Sequence, residues 1–310
     1  TALQEEQSPT DTQSPPQEVI TQLLNLYNSG NLEAVVDQAS LLTEQHPEAF
    51  VVWNILGAAN KGLGDLDKAS QAFKKVTELN PSLAEPHNNM GVTLQDQGKL
   101  EEALVAFNRV LDLHPDHTEV HYNIGNAFQS QSRLEEAIEA YKKALFLKPD
   151  HVDAHYNMGR AFQSQGNLDE AISSYSKALS LKLDYADAYY NMGRAFQSQD
   201  KSEEALSSYS KALSLKPDYA EAYNNMGVAL RELDKLEEAI KVYTKALFFN
   251  PNYAEVYLNM GNVLTDQSKL EDAVEAYNKS LSLKSDDPKA YLNMGNALKY
   301  QGEFDRAIEA

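Results

Sequence analysis

Residues 152–185 read VDAHYNMGRAFQSQGNLDEAISSYSKALSLKLDY, and residues 186–219 read ADAYYNMGRAFQSQDKSEEALSSYSKALSLKPDY. The second stretch repeats the first 34 residues on with eight differences, and the same frame extends outward in both directions. Glycine recurs at Gly57, Gly91, Gly125, Gly159, Gly193, Gly227, Gly261 and Gly295. Alanine follows twelve positions later each time, from Ala69 and Ala103 through Ala137, Ala171, Ala205, Ala239 and Ala273 to Ala307. Four residues further on stands an aromatic: Phe73, Phe107, Tyr141, Tyr175, Tyr209, Tyr243 or Tyr277. Proline closes most units, at Pro81, Pro115, Pro149, Pro217 and Pro251. A fixed period of this length marks an array of supersecondary units.

Within one unit, small and large apolar residues recur at helical intervals over Asp153–Gln165 and again over Leu168–Leu181, which predicts two helices. The Gly and Ala positions suit the closest approach of the two helices, with the aromatic filling the space beside it. The turns often carry glycine (Gly64, Gly98, Gly166, Gly302), and proline ends the second helix. One hairpin cannot bury its apolar face alone, whereas stacked neighbours can.

These residues resemble the tetratricopeptide-repeat family, whose pattern is W-x2-L-G-x2-Y, then A-x3-F, then P, at this period. The likeness runs from about Phe50 to Ala310. It implies an all-α fold, a right-handed superhelical solenoid of helix-turn-helix hairpins, and says little of any particular function. The first signature position departs from the pattern: Trp53 is followed by His87, His121 and His155, then by Tyr189, Tyr223, Tyr257 and Tyr291. Leu183 replaces one proline, and another is displaced to Pro288.

Four segments follow from this frame. Residues 1–16 are rich in Gln, Ser, Thr, Glu and Pro, and disorder is expected there. Residues 17–49 form a divergent repeat in which Leu23 replaces the signature Gly. Its polar stripe of Glu18, Thr21, Gln22, Asn25 and Ser29 suits the outer face of a capping repeat. Residues 50–287 hold seven complete repeats, beginning at Phe50, Ala84, Thr118, Val152, Ala186, Ala220 and Ala254, and residues 288–310 hold a partial eighth.

The chain has 310 residues, no cysteine and a formal net charge of −19. Without cysteine there is no disulfide framework and no thiolate metal site. The negative charge argues against nucleic acid as a partner, because phosphates call for clustered Lys and Arg. No apolar run approaches the roughly 20 residues that cross a bilayer, so no membrane insertion is expected. The chain begins at Thr1 without an initiator Met and without a signal-peptide pattern; a processed or shortened product and a cytoplasmic location are the expectations. Much of the acidity is helix chemistry: pairs such as Glu101-Glu102 and Glu203-Glu204 open second helices, and lysines such as Lys148, Lys182, Lys216 and Lys284 close them.

The surface shared by the first helices carries the functional reading. Two residues before each Gly stands Asn89, Asn123, Asn157, Asn191, Asn225, Asn259 or Asn293, with Ile55 at the head of the series. Asparagine is a mediocre helix former, so its repetition needs a cause. Packed helices lie about 8–10 Å apart and an extended chain rises about 3.3 Å per residue. One carboxamide per hairpin therefore meets an extended peptide at about every third residue, and it can pair with any peptide unit. The row is similar to the asparagine ladder of O-linked N-acetylglucosamine transferases, which implies peptide binding on an inner, concave face. The competing explanation is that each Asn bonds a neighbouring repeat.

Flanking residues mark one zone of that face: Tyr122, Tyr156 and Tyr190 before the row, Asn126, Arg160 and Arg194 after the Gly, then Gln129, Gln163 and Gln197. Tyr, Arg, Asn and Gln together make a surface typical of binding. A carboxylate clamp is not visible, because Tyr122, Tyr156, Asn123 and Asn157 occupy the places where basic residues would grip a terminal carboxylate, beside acids such as Glu119, Asp153, Asp187 and Glu221. His117 with His121 and His151 with His155 have a metal-binding spacing, but His121 and His155 occupy an aromatic slot and no metal is expected. No phosphate loop, H-E-x-x-H or G-x-S-x-G is present, and no cofactor is expected.

Two function classes remain: a non-catalytic scaffold that holds a protein or an extended peptide, and the recognition arm of a larger glycosyltransferase or sulfotransferase. Sequence after Ala310 would tell the two apart. Tyr291, Leu292, Leu298, Phe304 and Ile308 belong to the partial hairpin, and an uncapped edge is expected there. Further chain, or a second copy in a head-to-tail contact, would cover it.

Overall fold

The computed structural model describes residues 14–309, of Glu309 the backbone alone. Residues 1–13 of the segment expected to be disordered lie outside the described residues; Pro15 is buried, and Pro16 leads into the first helix. All regular elements among the described residues are helices. The chain divides into two compact units, 1–149 and 150–310.

The first unit contains α1 (Gln17–Asn28), α2 (Leu32–Gln45), α3 (Phe50–Gly62), α4 (Leu66–Leu79), α5 (Ala84–Asp96), α6 (Leu100–Leu113), α7 (Thr118–Ser130) and α8 (Leu134–Leu147). The second contains α9 (Val152–Ser164), α10 (Leu168–Leu181), α11 (Ala186–Gln197), α12 (Ser202–Leu215), α13 (Ala220–Glu232) and α14 (Leu236–Phe249). It continues with α15 (Ala254–Asp266), α16 (Leu270–Leu283), α17 (Pro288–Gln301) and α18 (Phe304–Glu309). In each unit successive helices pair as hairpins, and each hairpin packs on the next.

The period is explained inside the hairpin. The ring sixteen residues after each of the first seven signature glycines packs against it: a Cβ on Gly193 would stand 2.6 Å from Cε1 of Tyr209, and one on Gly57 2.8 Å from Cε1 of Phe73. No larger residue fits there without displacing a ring that is itself wholly buried. Ala171, Ala205 and Ala239 are fully buried in the same seam.

The turn between paired helices needs one residue in the left-handed region. Gly166 supplies it with φ +80°, and the amide of Asn167 closes the turn on the carbonyl of Phe162 at 2.9 Å. Ser132, Asp200, Asp234 and Ser268 stand in the same place with φ between +57° and +60°. Leu183, in the proline position, is 74% exposed, yet α10 ends at Leu181 just as α8 ends at Leu147 before Pro149.

The polar stripe of α1 is exposed throughout, while Leu23 is fully buried. At the other end, Tyr291, Leu292, Phe304 and Ile308 are exposed. Leu298 departs from the expectation for that edge: it is 2% exposed, inside the core cluster with Leu281 and Ala297. The reason is helical phase, since Leu298 lies on the face of α17 turned toward α16.

Candidate peptide-binding face

The first signature slot has a polar function. The indole N–H of Trp53 donates to the carbonyl of Pro47 at 2.9 Å, and Nε2 of His121 lies 2.9 Å from the carbonyl of Pro115. His87 makes the same contact with Pro81 at 3.3 Å. Trp and His are interchangeable here because both present a ring N–H to the carbonyl that ends the preceding hairpin. His151 faces the other way, its Nδ1 accepting from the amide of Ala154 at the start of α9. Among the described residues no three metal-ligating side chains gather.

In the second unit the asparagine row is tied from hairpin to hairpin. Nδ2 of Asn191 donates to the hydroxyl of Tyr156 at 2.9 Å and to the carbonyl of Asp187 at 3.0 Å. Asn225 repeats the first bond to Tyr190 at 3.1 Å. Further along, Asn224 and Leu258 occupy the tyrosine position. There Asn259 donates to Oδ1 of Asn224 at 3.0 Å, and Asn293 to Oδ1 of Asn262 at 2.8 Å. Asn157 is half-buried in the same register, as are Asn89 and Asn123 in the first unit.

The tyrosines of the row are held by rings on both sides. Tyr156 lies 5.9 Å from Tyr175 and 4.8 Å from Tyr185, and Tyr190 lies 6.1 Å from Tyr209 and 4.8 Å from Tyr219. Burial raises the Tyr156 and Tyr190 hydroxyls above the usual phenol range, so both stay protonated. Tyr122 sits 6.0 Å from Tyr141 in the first unit.

Gln163 and Gln197 face inward with their oxygens. Oε1 of Gln163 accepts from Tyr175 at 2.7 Å, and Oε1 of Gln197 accepts from Tyr209 at 2.9 Å. Gln129 and Asn126 do the same for Tyr141, at 2.8 and 2.7 Å. Arg160 and Arg194 are exposed, each guanidinium 5.9 Å from the ring of Tyr156 or Tyr190, with no carboxylate within ion-pair distance among the described residues.

Two tyrosines of this network escape a reading of single positions. Tyr185 and Tyr219 precede α11 and α13, and their hydroxyls reach Asp153 at 3.3 Å and Asp187 at 3.0 Å in the preceding hairpin. The recurring Asp-Tyr pair at 184–185 and 218–219 is the signal that would have found them. Together, Tyr156, Arg160 and Gln163 with Asn191, and Tyr190, Arg194 and Gln197 with Asn225, form two successive copies of one polar arrangement. Asn259 and Asn293 share the hydrogen-bond direction without the tyrosines.

Comparison with known proteins agrees with this architecture. The TPR-repeat family matches seven consecutive segments, residues 61–98, 94–132, 125–166, 159–200, 193–233, 229–267 and 261–302. The crystal structure of MamA is 28% identical with a TM-score of 0.52, covering 56% of this chain and 94% of that one. YrrB, a TPR protein with an unusual peptide-binding site, is 24% identical with a TM-score of 0.53, covering 60% of this chain and 95% of that one. The anaphase-promoting complex hetero-tetramer Cut9–Hcn1 gives 18% identity and a TM-score of 0.59, over 90% of this chain and 55% of its counterpart. No curated protein matches the sequence. No helix among the described residues is long and apolar enough to cross a membrane. With matched segments running without a break from residue 61 to 302, the chain belongs to the TPR-repeat family.

Proposed function

We propose that this chain is a protein–protein interaction scaffold that holds an extended segment of a partner protein along its first-helix face, without catalysis of its own. The observation that carries the reading is the Asn191–Tyr156 pair, repeated at Asn225–Tyr190. Each asparagine spends its N–H on the tyrosine oxygen, which fixes the carboxamide plane. The phenolic O–H of Tyr156 or Tyr190 then remains to donate, since no acceptor for it lies among the described residues. An Oδ1 acceptor beside an O–H donor matches the two halves of a peptide unit, whatever its side chain. Arg160 and Arg194 stand beside the two pairs and suit acidic side chains on the same segment.

The test begins with peptides selected against the protein from a random display library. Asn191→Ala with Asn225→Ala is expected to weaken their binding at least tenfold while helicity persists. Tyr156→Phe with Tyr190→Phe, which removes only the donors, should also weaken it. Unchanged affinity in both variants would assign the row to packing between repeats alone.

A further inference from the structure

On the opposite side of the hairpins, a second set of side chains fastens one repeat to the next. The glutamine at the end of a first helix reaches back to the acid that opens the preceding second helix. Nε2 of Gln97 donates to Asp67 at 2.8 Å, that of Gln131 to Glu101 at 2.9 Å, and that of Gln199 to Asp169 at 2.8 Å. The basic residue two positions on supplies the other half: Arg133 donates to Oε1 of Gln131 at 3.0 Å, and Lys201 to Oε1 of Gln199 at 2.8 Å. At Gln131 and Gln199 the result is a clasp with both ends of the carboxamide engaged, whereas Gln97 holds by Nε2 alone, its Oε1 buried and unpartnered among the described residues.

At Gln267 this clasp is open. The residue types are the same, with Glu237 thirty positions before and Lys269 two after. Yet Nε2 and Oε1 of Gln267 are both shielded from solvent and both without a partner among the described residues. Between Gln267 and Glu237 lies a groove of about 1080 Å³, bounded by α14, α15 and α16. Ile240, Met260, Leu264 and Ala276 supply its apolar lining, and Glu237 and Lys269 stand on it with the free carboxamide. A shielded amide with neither donor nor acceptor satisfied costs on the order of 1–3 kcal/mol, which a suitable occupant would recover.

We infer that this groove is a second binding site, separate from the asparagine face, and that it takes a large aliphatic side chain of a partner protein together with an adjoining peptide unit. The apolar lining accepts the side chain. A turn of the Gln267 side chain brings its shielded amide to the peptide unit, Oε1 as acceptor and Nε2 as donor, the complement of backbone N–H and C=O. Glu237, Lys241, Lys269 and Asp272 place both signs of charge around the groove, so overall charge does not select the occupant.

The chain's six methionines make the inference testable, because Met260 lines the groove and the other five report on five other hairpins. The full chain, labelled at its methionine methyls, is titrated with N-acetyl-leucine N-methylamide, in which one leucine lies between two peptide units. The Met260 signal is expected to move and saturate at millimolar probe while the others stay still. N-acetyl-glycine N-methylamide, lacking the side chain, should leave it in place. Gln267→Ala should weaken the leucine probe at least fivefold, and Gln199→Ala, at a closed clasp, should not. A still Met260, an equal response to the glycine probe, or equal binding by Gln267→Ala would each overturn the inference. So would free protein in which Glu237→Gln alters the exchange of the Gln267 side-chain protons, since that result means a closed clasp in solution.

Discussion

The side-chain amide of Asn191 donates to the hydroxyl of Tyr156, which lies one repeat and one residue earlier, at 2.9 Å. The bond joins α11 to α9 directly, and both side chains are half-buried. Tyr156→Phe is expected to cost about 0.5–1.5 kcal/mol, the net worth of one such bond. Urea unfolding of Tyr156→Phe, Asn191→Ala and the double variant would show the pair as a coupling of about 1 kcal/mol. Strict additivity would mean that the bond contributes nothing to stacking.

Tyr243 tests the same chemistry in reverse. Its ring is fully buried, but its hydroxyl has no partner among the described residues. Val228 and Arg231 stand where Arg194 and Gln197 stand one repeat earlier, and Nε of Arg231 turns away to Asp266 at 2.6 Å. Tyr243→Phe should therefore be neutral or stabilise by up to about 1 kcal/mol, whereas Tyr209→Phe, losing its bond to Gln197, should cost about 1 kcal/mol. Denaturant midpoints of the two variants supply the comparison.

The left-handed turn residues offer a stabilising change. Asp200 and Asp234 adopt φ +58° and +57° where Gly166 fills the equivalent turn. A side chain in this conformation costs roughly 1–2 kcal/mol, partly offset by the greater freedom of glycine in the unfolded chain. Asp200→Gly and Asp234→Gly are each expected to raise stability by about 0.5 kcal/mol, read as a higher melting temperature. A drop in either would mean that the aspartate side chain stabilises its own turn.

His87 carries a pH dependence. Burial lowers its pKa, Arg109 adds to the lowering, and the contact with the Pro81 carbonyl opposes it. In the unfolded chain the imidazole titrates near its ordinary value of about 6.5. Below that pH the unfolded state holds the extra proton, so stability falls as pH drops through about 6.5 and stops falling once the folded form is protonated too. His87→Trp, which keeps a ring N–H like that of Trp53, should show a smaller stability difference between pH 7.5 and pH 5.5 than the unaltered protein.

The frame of Gly, Ala and aromatic residues was legible because each has one steric function inside a hairpin, so a single unit repeats the whole argument. The asparagine row was equally visible as a pattern. Its bonding was not, because the partner of Asn191 lies in another repeat at an offset one longer than the period. Gln267 shows a harder limit. It shares its residue type and spacing with Gln131 and Gln199, so nothing in that pattern separates the open clasp from the closed ones. Leu298 is buried rather than on the open edge because its surroundings depend on the phase of α17 and not on its position in an incomplete unit.

The bonds from Asn191 and Asn225 to the preceding tyrosines also determine how either unit would respond to a pulling force. Each such bond spans little more than one period, so these links fasten neighbouring hairpins. Tension on a terminal hairpin would be resisted by its immediate neighbour alone. Release would then proceed one hairpin at a time, each step freeing about 34 residues and lengthening the chain by roughly 110 Å before the force met the next tyrosine.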